Sequence, residues 1–106
     1  MIRVIIEREI AQGLEQFYES AIADLLDVMA NARGYVSGES SVEIHRPNRY
    51  VVITRWTDEE SWHHWYQSSE RQELLNVIRP FLLTEEKFTL LRQLSLHRDK
   101  WDKSTT

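Results

Sequence analysis

The chain has 106 residues, 13 basic against 17 acidic, a formal charge of -4 and no cysteine. That length allows one domain with a modest core, and the missing cysteine excludes a disulfide framework, a thiolate nucleophile and Cys-ligated zinc or iron–sulfur clusters. No basic run lines up to neutralise phosphates and no stretch approaches the roughly 18 apolar residues of a membrane span, so the expectation is a soluble cytoplasmic protein without nucleic-acid or membrane partners.

Residues 2–10 (IRVIIEREI) are rich in β-branched side chains and too short for a lone helix, and read as a strand. From Leu14 the period changes. Leu14, Phe17, Tyr18, Ala21, Ile22, Leu25, Val28, Met29 and Ala32 recur at three- and four-residue steps, with Glu15, Glu19, Asp24 and Asp27 on the other side. This predicts an amphipathic helix of about five turns, stopped by Gly34 just past its end. Residues 35–46 and 49–57 predict a hairpin turning at Pro47-Asn48. Thr57 with Glu60 has capping-box spacing, so a second helix should begin at about Asp58. Ser69 with Gln72 repeats the pattern, which predicts a break near Ser68-Ser69 and a fresh segment to Arg79, closed by Pro80. Residues 86–97 (EKFTLLRQLSLH) read as a last strand, and Arg98 to Thr106 as a polar tail, frayed apart from Trp101.

The order β-α-β-β-α-β predicts an α+β, ferredoxin-like domain over residues 1–97: a four-stranded antiparallel sheet with two helices on one face, followed by the C-terminal tail 98–106. Ile2, Val4 and Ile6 alternate with Ile5, and Val52 and Trp56 with Val51 and Ile53, so both sheet faces read as apolar. Two helices cover only one of them. The expected cover for the other is a second copy of the chain, in a face-to-face homodimer.

The stretch from Thr57 to Tyr66 (TDEESWHHWY) holds two Trp, two His and a Tyr, one residue after Trp56. On a helical wheel Trp62, Trp65, Tyr66 and Ser69 share the inward stripe, His64 points to water near Glu60, and His63 sits on the boundary beside Glu59. Adjacent histidines face apart, and a Glu–His pair one turn apart supplies two ligands with no third nearby, so no metal is expected. Two readings of the aromatics stand side by side. They fill the space between helix and sheet, or they leave a flat apolar slot for a planar aromatic ligand, with Arg55, Asn76, Arg79, Ser69 and His63 as its polar groups. Nothing resembles a Ser–His–Asp set, paired carboxylates in a pocket or a Gly-rich phosphate loop.

Gly34-Tyr35 after a long helix, Trp56 at the end of the hairpin, Thr57-Asp58-Glu59-Glu60-Ser61-Trp62 and Trp65-Tyr66-Gln67-Ser68 together resemble the antibiotic biosynthesis monooxygenase domain, over about residues 1–97. The resemblance implies a dimeric α+β barrel and oxygenation of a small phenol, anthrone or quinol without metal or flavin. Members with that activity use a Trp at the strand end, an Asn four residues earlier, a Tyr six residues later and an Arg on the second helix. Trp56 matches the first, Val52 stands at the Asn position, Trp62 at the Tyr position, and Leu75 or Asn76 at the Arg position, with Arg79 a turn away. Haem-degrading members are similar at Trp65, but their axial His falls on Leu75 and no Asn precedes Asn31, which leaves an iron without a protein bond. The resemblance thus implies Trp56, Arg79 and His63 as catalytic, with Trp62, Trp65, Arg55 and Asn76 around the substrate and no cofactor. The alternative is a non-catalytic dimeric module that binds a small aromatic metabolite or serves as an accessory protein.

Overall fold

Strict alternation in the two central strands decides which side of the sheet is core. In strand β1 (Ile2–Glu9) Val4, Ile6 and Arg8 are buried while Arg3, Ile5 and Glu7 are half-buried. Strand β3 (Arg46–Trp56) does the same, with Tyr50, Val52, Thr54 and Trp56 buried against half-buried Val51, Ile53 and Arg55. The computed structural model describes residues 1–94, and the remaining elements are α1 (Glu15–Met29), β2 (Tyr35–Glu43), α2 (Glu59–Tyr66), α3 (Ser69–Ile78), a 3-10 turn (Arg79–Phe81) and β4 (Lys87–Arg92).

The βαββαβ order is as expected. The four strands lie in the order β2-β3-β1-β4, every neighbouring pair antiparallel. Ile6 pairs with Val52 on one side and Phe88 on the other, which puts the three on one face. Three helices rather than two cover that face, because the second helical stretch divides as its Ser68-Ser69 signal suggested. Their inward stripes, Tyr18, Ile22, Leu25 and Met29 from α1, Trp62 and Trp65 from α2 and Ile78 from α3, close one core with the strands. Among the described residues no helix is long and apolar enough to cross a membrane.

Several local expectations are corrected. α1 stops at Met29, short of Gly34, because Asn31 donates its side-chain amide to the Asp27 carbonyl and the backbone tightens into i to i+3 turns. Val28 is left exposed in that last turn, whereas Met29 beside it stays buried in the core. Gly34 instead takes φ +79 in the approach to β2, where a Cβ would overlap the Ser61 side chain. The hairpin turns at Ile44-His45, leaving Pro47-Asn48 inside β3 at the start of the strand. The caps are Asp58 and Ser68, each accepting from a backbone N–H three residues on, rather than Thr57 and Ser69. The last strand is Lys87–Arg92; residues 95–97 of its expected range and the tail with Trp101 lie outside the described residues.

The uncovered sheet face is less apolar than expected. Ile5, Val51 and Ile53 form its centre, and ion pairs bridge the strands around them: Arg49 to Glu7 at 2.9 Å, Arg49 to Glu43 at 3.2 Å and Arg46 to Glu9 at 3.3 Å. At the other end Arg3 pairs in register with Arg55, and the Arg3 Nε is buried without a hydrogen-bond partner.

Candidate functional site

Two places carry the side chains of interest, and they differ in whether a molecule can enter. The first is the indole cluster. Trp56 ends β3 on the core parity and is wholly buried, and α2, capped by Asp58 Oδ1 accepting from the Ser61 N–H at 2.7 Å, lays Trp62 and Trp65 over it. Trp56 meets Trp62 at 5.7 Å between ring centroids and Trp65 at 6.5 Å, with Tyr35 edge-on at 5.5 Å. Its Nε1 donates to Thr54 Oγ1 at 3.0 Å, which explains a buried threonine in an apolar strand face.

The second place is a cleft of about 680 Å³ between α3, the 3-10 turn and the segment leading into β4. Its aromatic wall is Tyr66 and Phe88, edge-on at 5.4 Å, and both rings touch Trp62 at 5.8 and 5.9 Å. Leu75, Leu82 and Leu83 add apolar surface, and Arg71, Arg79, Glu85 and Glu86 supply charge. Arg71 points inward because it shares a helical stripe with Leu75 and Ile78, four and seven residues on, all three buried.

Arg71 belongs to a buried ionic set. Its Nη2 donates to Glu86 Oε1 at 3.1 Å and its guanidinium lies 4.4 Å from the Tyr66 ring centroid. The other Glu86 oxygen accepts from Arg8 Nε at 2.7 Å, and Arg8 Nη1 donates to the Tyr18 hydroxyl at 3.2 Å. One carboxylate therefore holds two buried guanidiniums. Burial pushes Arg71 below its ordinary pKa, with Glu86 opposing the shift, and burial pushes the Tyr18 phenol up, with Arg8 opposing. Across the molecule a smaller cavity of about 320 Å³ opens between α1 and the β2–β3 edge, where burial and the 2.6 Å bond donated to Glu19 keep the Tyr50 phenol protonated.

The residues singled out in the sequence fall in four places. Arg79 lines the cleft, its Nη1 donating to Asn76 Oδ1 at 3.1 Å. Trp56, Trp62 and Trp65 lie behind the cleft wall and outside its lining. Arg55 stands on the open sheet face beside Glu39 and Ile53. His63 is half-exposed on α2 with Nε2 3.0 Å from Glu59 Oε2, and among the described residues no three His, Asp or Glu side chains gather as a metal set. On the expected inward stripe Ser69 is exposed, because the break after Tyr66 resets the helical phase before α3, and Tyr66, the last residue of α2, is 39 % exposed. Arg8, Arg71 and Glu86 were not singled out. A signal existed for Arg8, which has the parity of Val4 and Ile6 and so demands a buried counter-ion.

Residues 1–76 match the family model described as antibiotic biosynthesis monooxygenase. No curated protein is significantly similar to the chain. Among solved structures, a putative antibiotic biosynthesis monooxygenase from Deinococcus radiodurans is similar with a TM-score of 0.84 at 9% identity, over 93% of this chain and 98% of that one. A conserved protein from Methanosarcina mazei Go1 gives 0.81 at 18%, over 88% and 92%. SnoaB, a cofactor-independent oxygenase from Streptomyces nogalater, gives 0.74 at 21%, over 91% and 98%. At these identities the likeness is one of fold.

Proposed function

Because the chain belongs to the antibiotic biosynthesis monooxygenase family, we propose that it oxygenates a small electron-rich aromatic, a phenol, anthrone or quinol, without a cofactor. The observation that carries this reading is the cleft beside α3, which joins an aromatic wall, Tyr66 and Phe88, to the guanidinium of Arg79 in about 680 Å³. The description of SnoaB as a cofactor-independent oxygenase supports it.

In the proposed reaction the ring packs on Tyr66 and Phe88, Leu75, Leu82 and Leu83 exclude water, and Arg79 favours the ionised substrate. The anion passes one electron to dioxygen, and the two radicals join as a carbon-bound peroxide. Loss of water then leaves a carbonyl, so that one oxygen atom enters the product, the other leaves as water, and the substrate supplies all four electrons. Asn76 orients Arg79, Trp62 backs the wall, and Trp56 and Trp65 stiffen it from behind. His63 and Arg55 stand outside the cleft lining, so the substrate proton leaves to water. The working unit is a homodimer closed over Ile5, Val51 and Ile53, which Ile53→Arg should convert to a monomer by light scattering.

Oxygen uptake against hydroquinones, anthrones and naphthols tests the reading. Saturable uptake that falls by roughly ten- to a hundredfold in Arg79→Gln supports it. A second reading, a non-catalytic module binding aromatic metabolites, is favoured by Val52, buried and apolar where oxygenating relatives are expected to carry an amide. Uptake at the buffer level, together with anaerobic quenching of tryptophan fluorescence by the same compounds, would establish the second reading and end the first.

A further inference from the structure

The cleft floor carries a cation too many. Arg8 and Arg71 are 3% and 5% exposed, and both lean on the single carboxylate of Glu86. Buried charges are normally matched one to one, since an uncompensated ion loses its hydration without return. Arg8 is satisfied from below by Tyr18 and Glu86. Arg71 is not: of its five N–H donors, Nη2 meets Glu86 at 3.1 Å and Nη1 reaches the Tyr66 carbonyl at 3.5 Å. Its Nε finds no protein acceptor among the described residues and is not sealed from solvent, and Arg71 lines the cleft.

From this imbalance we infer that the cleft takes an anionic aromatic, a planar ring bearing a carboxylate, whose acid group completes the charge of Arg71 while the ring lies along Tyr66 and Phe88. The inference rests on the cleft being the substrate site and names the class of substrate it selects. Arg79 at the rim adds to the positive field. Glu85 opposes it, but is exposed, so water screens most of its effect. The Arg71 guanidinium carbon sits 4.4 Å from the Tyr66 ring centroid, which with Glu86 restrains it before any ligand arrives, and a guanidinium so held matches a carboxylate in a way a mobile lysine does not.

The test compares 1-hydroxy-2-naphthoate with its methyl ester, by anaerobic titration of tryptophan fluorescence, so that binding is read without turnover. The acid should bind about tenfold or more tighter than the ester. That ratio should fall towards one in Arg71→Met, and rise in Glu85→Gln, where an exposed opposing charge is removed. Equal affinity of acid and ester for the unmodified protein, or binding of neither, overturns the inference whatever the variants do. The two readings fail separately: acid-selective binding without oxygen uptake ends the oxygenase reading and keeps this one, while uptake indifferent to the carboxylate does the reverse.

Discussion

The indole cluster and the arginine cleft touch through Trp62, yet they are opposite kinds of interior. Around Trp56 the buried indole N–H is answered at once by Thr54, and rings meet rings at 5.5 to 6.5 Å. Around Arg71 two cations share one carboxylate beside 680 Å³ of open space. The lesson is that a dense run of aromatics marks where the fold is made, whereas a buried charge without its partner marks where something else is to arrive.

The largest break in that contrast should come from Trp56→Ala. Removing a wholly buried indole should cost about 3–5 kcal/mol by urea unfolding, with the cavity adding to the lost transfer energy. A loss under about 1 kcal/mol would mean that the cluster is soft enough to admit a ligand, and the slot reading would return.

Glu86→Gln comes next. It leaves Arg8 and Arg71 facing each other without a counter-ion and should cost about 3 kcal/mol. Arg71→Met should cost distinctly less, because the Arg8–Glu86 pair survives intact. Should the two variants lose equal stability in the same denaturant titration, the charge would be balanced by groups other than these three, and the cleft would lose its claim to an anion.

Gly34→Ala sharpens the comparison from the other side, since Gly34 anchors the segment on which the Trp cluster's helix begins. At φ +79, with Ser61 in the way of a Cβ and the Thr57 N–H donating to its carbonyl at 2.8 Å, the position should lose about 1–3 kcal/mol on substitution. A thermal melt within a degree of the parent would show that the α2 terminus can shift freely.

How much of this could be read in advance follows from how local each cause is. Strand parity is local, and Val4, Ile6, Val52 and Trp56 face the core as their alternation requires. The helix break is local too, a serine side chain ending one run and starting another. The end of α1 escaped because apolar spacing runs on to Ala32, while one side-chain bond, Asn31 to the Asp27 carbonyl, ends the helix earlier. The ionic bridges on the open sheet face depend on register, which pairs Glu7 with Val51 and sets Arg49 within reach. The cleft was hidden for the strongest reason: Glu86 lies 78 residues from Arg8 and 15 from Arg71, in separate elements, and only the finished fold brings them together.

The smallest effect concerns the cap that starts α2. The backbone N–H of Ser61, its hydroxyl and Thr57 hold the Asp58 carboxyl below its ordinary value of 3.8, with Arg33 adding a little. A folded-state pKa below the unfolded one means that the ionised cap favours the fold. Its contribution is complete above the unfolded value and disappears as the pH falls through the lowered folded value. Asp58→Ala should therefore melt below the parent by a constant margin at neutral and weakly acidic pH, and the margin should shrink as the pH drops below about 4. A margin that stays constant down to pH 2 would mean that the carboxylate charge contributes nothing and that packing of Trp62 and Trp65 alone holds the helix start.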